Sequence, residues 1–254
     1  MNMTSSARNA WIFPTAPAPG ARLRLFCFPH AGGGASMYQS WKRLLPADID
    51  VCPVQLPGRE NRMREPAMKS FASLAEALAS ALSAYLDTPF AFFGHSMGSM
   101  VSFELTRFLR RQGMPLPQHL FVSAYRAPQL AIARPWLHTM SEADLVQTLL
   151  ALEGTSREVL ENDELRQFLL PLIRSDFTAC ETYTYTSEEP LACPIDVFGG
   201  QQDRRAPHAV LAAWQEQTSS QFQLHMLPGG HFYLQERPAP LLDILARQLQ
   251  YQSH

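Results

Sequence analysis

The feature that most constrains this chain is the pentapeptide Gly94-His95-Ser96-Met97-Gly98. A short apolar segment at residues 91–93 precedes it and suits a buried strand, and a helical pattern follows over residues 97–112. Serine between a strand and a helix, with glycine two positions away on each side, is typical of a sharp turn that lifts the hydroxyl above a sheet. The pattern predicts that Ser96 is a nucleophile, although G-x-S-x-G also occurs by coincidence in some chains of this length.

The bulk properties of the chain narrow the class of protein. A length of 254 residues fits one large domain or two small ones. The formal charge of −2 and the pI of about 6.4 argue against nucleic-acid binding, which requires a strongly basic face. No apolar run has the length of a membrane span, so we expect no membrane contact and a cytoplasmic location. Residues 1–20 lack the pattern of a signal peptide and are predicted to form a flexible arm.

The order of the apolar and helical segments predicts the architecture. Strand patterns at residues 22–28, 50–55, 91–93, 119–124, 195–200 and 222–227 alternate with helical ones. This alternation predicts an α/β fold with a mostly parallel sheet and helices on both faces, with its core in residues 21–127 and 191–254.

Residues 128–190 interrupt this core with helical patterns alone, at residues 142–152, 157–160, 164–173 and 177–185. A helical insertion that follows a core strand favours a lid over the site, because lids gate access and exclude water. The alternative is a helical subdomain that only thickens the fold.

A second loop can supply polar groups beside the predicted serine. Three glycines at residues 32–34 follow the first strand and allow a main-chain N–H to point into a site. The loop lacks the motifs of phosphate-binding loops, so an oxyanion loop is the favoured interpretation. The two donors in such a site are the amide after the nucleophile and an amide of the early loop, here Met97 and Ala31.

A nucleophilic serine also needs a base, and the base needs an acid that fixes its tautomer. The order serine, acid, histidine, with each residue after a strand, selects Asp203 and His231. Asp203 lies three residues past the strand that ends at residue 200, and His231 follows the last strand. Of the competing acids, Asp196 falls within a strand and Asp176 falls within the insertion.

The remaining titratable residues predict no metal site. His30 and His95 adjoin the glycine loop and the serine, where packing and hydrogen bonding are the favoured roles. The other histidines and the four cysteines show neither ligand spacing nor a C-x-x-C pair. The most basic local stretch holds Arg59, Arg62 and Arg64, and such a cluster is most often a solvated loop.

Four segments together resemble one family: F-P-H-A-G-G-G at residues 28–34, Q-L-P-G-R-E at 55–60, G-H-S-M-G at 94–98 and P-G-G-H-F at 228–232. These segments are similar to those of the type II thioesterases, stand-alone enzymes of the α/β-hydrolase fold that accompany polyketide synthases and nonribosomal peptide synthetases. The likeness extends over residues 23–249 and includes the helical insertion.

The resemblance implies an enzyme that hydrolyses stalled or wrongly loaded acyl groups from the phosphopantetheine arm of acyl or peptidyl carrier proteins. It places Ser96, Asp203 and His231 at the triad positions, with Ala31 and Met97 at the oxyanion positions. It implies no cofactor, because the substrate carries the phosphopantetheine, and we expect a monomer. The family usually continues after the acid toward Pro or Val, whereas this chain has Arg-Arg-Ala at residues 204–206.

Under this interpretation Arg59, Arg62 and Arg64 could contact the phosphate of the arm or the acidic surface of a carrier protein. Two alternatives stay open. One is a lipase or small-ester hydrolase that uses the same three residues. The other is a catalytically silent protein that only binds carrier proteins.

Overall fold

A computed structural model describes residues 9–13, 18, 20–132, 136–152 and 157–250. Its centre is a sheet of six parallel strands in the order β2-β1-β3-β4-β5-β6. The strands are β1 (Leu23–Phe28), β2 (Ile49–Pro53), β3 (Phe90–His95), β4 (Leu120–Ser123), β5 (Ile195–Gly200) and β6 (Phe222–Leu227). The predicted parallel sheet is confirmed.

Helices cover both faces of this sheet, as predicted. The α-helices are α1 (Phe71–Leu82), α2 (Met97–Arg111), α3 (Glu142–Ala151), α4 (Arg157–Glu161), α5 (Asp163–Glu181), α6 (His208–Ala212), α7 (Tyr233–Glu236) and α8 (Ala239–Gln250). One face packs against α1 and α2, and the other against α8 and a 3₁₀ helix at Ala35–Arg43. Because both faces are covered, the central strand β3 is buried along its whole length and is apolar at Phe90, Phe92 and Phe93.

The insertion between β4 and β5 holds α3, α4 and α5 and has its own apolar cluster. One continuous helix, α5, replaces the two helices predicted over residues 164–185. Residues 174–176, which lie between the two predicted segments, are helical as well, and Asp176 is buried.

Part of the predicted N-terminal arm packs against the core. Ile12 is buried and forms a bridge to Val54, and the Phe13 amide donates a hydrogen bond to the carbonyl of Pro53. Residues 9–13 are therefore not a loose arm, whereas residues 1–8, 14–17 and 19 lie outside the described part of the chain. In the described residues, no helix is both long enough and apolar enough to span a bilayer.

Candidate active site

The candidate nucleophile lies where β3 turns into α2. Ser96 has φ 52°, an unusual backbone conformation for a residue other than glycine. The turn is this tight because neighbouring backbones approach closely. A Cβ at Gly94 would collide with the carbonyl of Gly98, and one at Gly98 would collide with the carbonyl of Phe28. Glycine is therefore required on both sides of the serine.

A hydrogen-bonded chain joins the three residues selected from the sequence. His231 Nδ1 lies 2.7 Å from Asp203 Oδ2, and His231 Nε2 lies 3.1 Å from Ser96 Oγ. Each of the three residues is at most 9% exposed. An ionised Asp203 can only accept, so Nδ1 donates to it, and the Nε2 of neutral His231 is left to accept the serine proton. This arrangement can activate a serine hydroxyl.

The surroundings of the three hydrogen-bonded side chains keep His231 neutral and Asp203 charged. Burial lowers the pKa of His231 below its usual 6.5, and the charge of Arg205 lowers it further, against the opposing effect of Asp203. Burial alone would raise the pKa of Asp203, but the hydrogen bond from His231 lowers it overall. The second oxygen of Asp203 accepts the backbone N–H of Arg205 at 2.9 Å. A neutral base at neutral pH follows from these shifts.

The two predicted oxyanion donors lie beside Ser96. Ala31 and Met97 line the same cavity as Ser96 and His231. Met97 is the first residue of α2, whose amide has no acceptor within the helix. The positive end of the α2 dipole lies at Met97, and the assignment of both amides as oxyanion donors stays a prediction.

A second layer of hydrogen bonds holds the turn, and sequence reasoning missed it. The Ser96 amide donates to the carbonyl of Ser123 at 2.7 Å, and Ser99 Oγ donates to the same carbonyl at 3.0 Å. The Ser123 hydroxyl lies 2.8 Å from His95 Nδ1 and 2.7 Å from the hydroxyl of Tyr233. His95 thus serves the scaffold of the turn, as expected.

Arg59 is buried and does not lie on the surface, where the predicted contact with phosphate or a carrier protein would require it. Its guanidinium forms two hydrogen bonds to Asp176, at 3.0 and 2.9 Å, and the two side chains are 4% and 1% exposed. Asp176 also accepts the amide of Gly32 at 2.7 Å, and Arg59 donates to the carbonyl of Gly33 at 3.1 Å. This buried pair connects α5 to the glycine loop that holds Ala31.

Arg62 is likewise buried. Its guanidinium binds both oxygens of Glu65, at 2.8 and 2.6 Å, and stacks on Trp11 at 4.1 Å. Only Arg64 of the three arginines is exposed, so its contact with a carrier protein stays a prediction.

Residues of the helical insertion and of the core together line a partly open cavity of about 230 Å³ beside the serine. Helix α5 contributes Phe177, Cys180 and Glu181 to its wall, and Arg205 lies on the wall as well. A larger groove of about 640 Å³ lies between α2 and the segment before β5, and it is lined by no residue of the hydrogen-bonded chain. The described residues hold no group of three or more His, Cys, Asp or Glu side chains suited to a metal ion.

Comparisons with known proteins agree with this geometry. A family model described as "Thioesterase domain" matches residues 23–249. The chain is 41% identical over 241 residues to gramicidin S biosynthesis protein GrsT of Aneurinibacillus migulanus, covering 95% of this chain and 94% of that one. It is 44% identical over 253 residues to a protein of Brevibacillus parabrevis named linear gramicidin dehydrogenase LgrE, covering 98% and 96%.

Solved structures show the same relationship. The type II thioesterase BorB from the borrelidin biosynthetic cluster superposes with a TM-score of 0.86 at 38% identity, covering 96% of this chain and 99% of that one. The strand order, the insertion over the serine and the matches over nearly the whole chain lead to one family. The chain belongs to the thioesterase domain family and is a type II thioesterase of nonribosomal peptide and polyketide pathways, a hydrolase that acts on thioesters.

Proposed function

We propose that this enzyme hydrolyses short, wrongly loaded or stalled acyl groups from the phosphopantetheine arm of acyl or peptidyl carrier proteins, with Ser96, His231 and Asp203 as its triad. The observation that carries the proposal is the unbroken hydrogen-bonded chain from Asp203 to Ser96 inside a covered cavity. No cofactor takes part, and the enzyme works in the cytoplasm as a monomer.

The chemistry is a two-step acyl transfer. Ser96 Oγ attacks the thioester carbon while His231 Nε2 takes its proton, and the oxyanion accepts hydrogen bonds from the amides of Ala31 and Met97. The C–S bond then breaks, and His231 returns the proton to the departing pantetheine thiolate. Water attacks the acyl-serine with His231 again as base, which releases a carboxylic acid and restores the Ser96 hydroxyl.

The size of the cavity supports an editing role. Sites for drug-sized ligands usually span about 300 to 1,000 Å³, whereas this cavity measures about 230 Å³. A short acyl group fits within this volume, whereas most of a finished peptide or polyketide chain would have to lie outside it. The volume is therefore suited to small acyl units, the class to which wrongly loaded groups belong.

A direct test compares three substrates that bear the same acyl group: a carrier-protein thioester, a small-molecule thioester and an oxygen ester. We expect the carrier-protein thioester to give the highest kcat/KM, and S96A to lower all three by at least about 10³-fold. Faster cleavage of the oxygen ester would favour the lipase alternative. Carrier-protein binding without hydrolysis by the wild type would favour the silent binding protein, and full activity of S96A would overturn the assignment of the nucleophile.

A further inference from the structure

Ser123 ends β4 and lies behind the turn that holds the nucleophile, where it is fully buried. The carbonyl of Ser123 accepts a hydrogen bond from the amide of Ser96 at 2.7 Å and another from the hydroxyl of Ser99 at 3.0 Å. The amide of Ser123 donates to the same Ser99 hydroxyl at 3.0 Å. Three hydrogen bonds therefore fix the end of β4 to the start of α2, beside the nucleophile.

The hydroxyl of the same serine bonds in another direction. It lies 2.7 Å from the hydroxyl of Tyr233 and 2.8 Å from His95 Nδ1. Tyr233 is the first residue of α7, only two positions after His231, and it is 1% exposed. Ser123 thus holds the turn of the nucleophile through its main chain and the segment of the base through its side chain.

The segment that carries His231 needs such an anchor. It begins with Gly229 and Gly230, and glycine leaves a backbone free to adopt many conformations. Gly229 has φ 120°, and its amide and carbonyl bond to Gln202 at 2.6 and 3.0 Å, but Gln202 is exposed. A hydrogen bond is electrostatically stronger when it is buried than when water competes for it. The buried hydroxyl of Tyr233 is therefore the stronger restraint on the position of His231.

The imidazole of His95 gives His231 a second support. Its ring centroid lies 5.3 Å from that of His231 and 6.3 Å from that of Tyr233, and the side chain of His95 is fully buried. The hydrogen bond to Ser123 fixes the orientation of this ring, so His231 packs against a rigid neighbour. Removing the Ser123 hydroxyl would loosen both supports of His231 at once.

We propose that Ser123 is a positioning residue for the hydrolysis, whose hydroxyl keeps His231 Nε2 within hydrogen-bond distance of Ser96 Oγ. This inference rests on the proposed function, because it explains what holds the proposed triad together. Ser123 does not line the cavity of about 230 Å³, so it does not contact an acyl group there. His231 takes a proton in both steps of the reaction, and a displacement of about 1 Å can cost about 10²-fold in rate. Ser123 should therefore act on kcat and not on KM.

The test removes the two hydroxyls singly and together, in S123A, Y233F and the double variant. We expect kcat to fall by about 10- to 100-fold in S123A and by about 10-fold in Y233F, with KM within about 2-fold of the wild type. The double variant should be no slower than S123A, because Y233F removes an interaction that S123A already lacks. All rates are measured at a temperature where every variant is folded.

The matched control is Tyr38, whose hydroxyl is as deeply buried and donates to the carbonyl of Phe28 at 2.8 Å. Y38F loses the same atom from the same apolar cluster, and Tyr38 does not line the cavity. We expect Y38F to lose as much thermal stability as Y233F but to keep its kcat within about 2-fold of the wild type. The comparison of Y233F with Y38F stays decisive if S123A does not fold.

The outcomes separate this inference from the proposed function. Unchanged kcat in Y233F and in folded S123A would overturn the inference, and so would losses in the single variants that multiply in the double one. An equal loss of kcat in Y38F would show that any missing core hydroxyl slows the enzyme, which overturns the inference as well. Full activity of S96A would instead refute the proposed triad, whatever the variants of Ser123 do.

Discussion

Replacing Asp176 with alanine is expected to lower the free energy of unfolding by about 4 kcal/mol, because it leaves a buried arginine without its partner. Removing one partner of a buried ion pair usually lowers the free energy of unfolding by about 3–5 kcal/mol. Asp176 and Arg59 meet this condition, with side chains 1% and 4% exposed and two hydrogen bonds of 3.0 and 2.9 Å. The Gly32 amide also loses its acceptor. A domain whose free energy of unfolding is about 5–15 kcal/mol would lose a large part of its stability.

The matched control is Glu65, which binds Arg62 through equally short hydrogen bonds of 2.8 and 2.6 Å but is 46% exposed. E65A should cost less than D176A, because water can replace the exposed carboxylate of Glu65 beside the buried Arg62. Urea denaturation of the three proteins measures both costs. If D176A and E65A cost the same, burial does not decide the strength of these pairs and the reasoning fails.

D176A should also slow turnover, because Gly32 adjoins Ala31, the proposed oxyanion donor. A donor displaced by about 1 Å can cost about 10²-fold in rate. The rate is measured as kcat at a temperature where D176A is fully folded, so that unfolding does not contribute. A folded D176A with unchanged kcat would show that the pair stabilises the fold without positioning the loop.

Three further predictions follow from the packing and the buried histidines. G98A should lose at least about 2 kcal/mol of stability and most of the activity, because the added Cβ would collide with the carbonyl of Phe28. The control G113A, at φ 63° with no atom near the added Cβ, should cost only about 1 kcal/mol and leave activity intact. Burial lowers the pKa of His30 from 6.5 to about 4, so between these pH values the folded state binds fewer protons than the unfolded state. The free energy of unfolding should therefore fall by about 3 kcal/mol from this group as the pH drops from 6.5 to 4. Denaturation measured across that pH range checks this, and H30N should show a flatter pH dependence. The lowered pKa of His231 should place the acid limb of kcat/KM below pH 6.5, and a limb above that value would contradict the neutral-base assignment.

The role of a residue could be predicted from the sequence wherever that role depends on the segment that contains the residue. The bounds of β5 and β6, at residues 195–200 and 222–227, match the predicted strands because an apolar run between turn residues is a local signal. Asp203 and His231 could be selected for the same reason, since each follows such a run. Their meeting at Ser96 then follows from the parallel sheet, which gathers the carboxyl ends of its strands at one edge.

Roles that depend on distant partners could not be predicted. Arg59 and Asp176 lie 117 positions apart, and neither segment contains a sign that the other would neutralise it. Arg59 therefore looked like part of a solvated loop, and Asp176 like an acid of the insertion without a known partner. The arginines after Asp203 were visible as a departure from the family pattern, but only the structure shows that Arg205 lines the cavity beside Ser96 while Arg204 does not.

The buried pair also limits how the covered site can open. Helix α5 supplies both Asp176 and the cavity residue Phe177, so moving this part of the helix away from the serine would break the contact with Arg59. Helices α3 and α4 have no comparable bond to the core in the described residues, and we expect them to move instead. Hydrogen exchange should be faster in α3 and α4 than around Asp176, and D176A should remove the difference. Equal protection of all three helices in the wild type would contradict this view of the insertion.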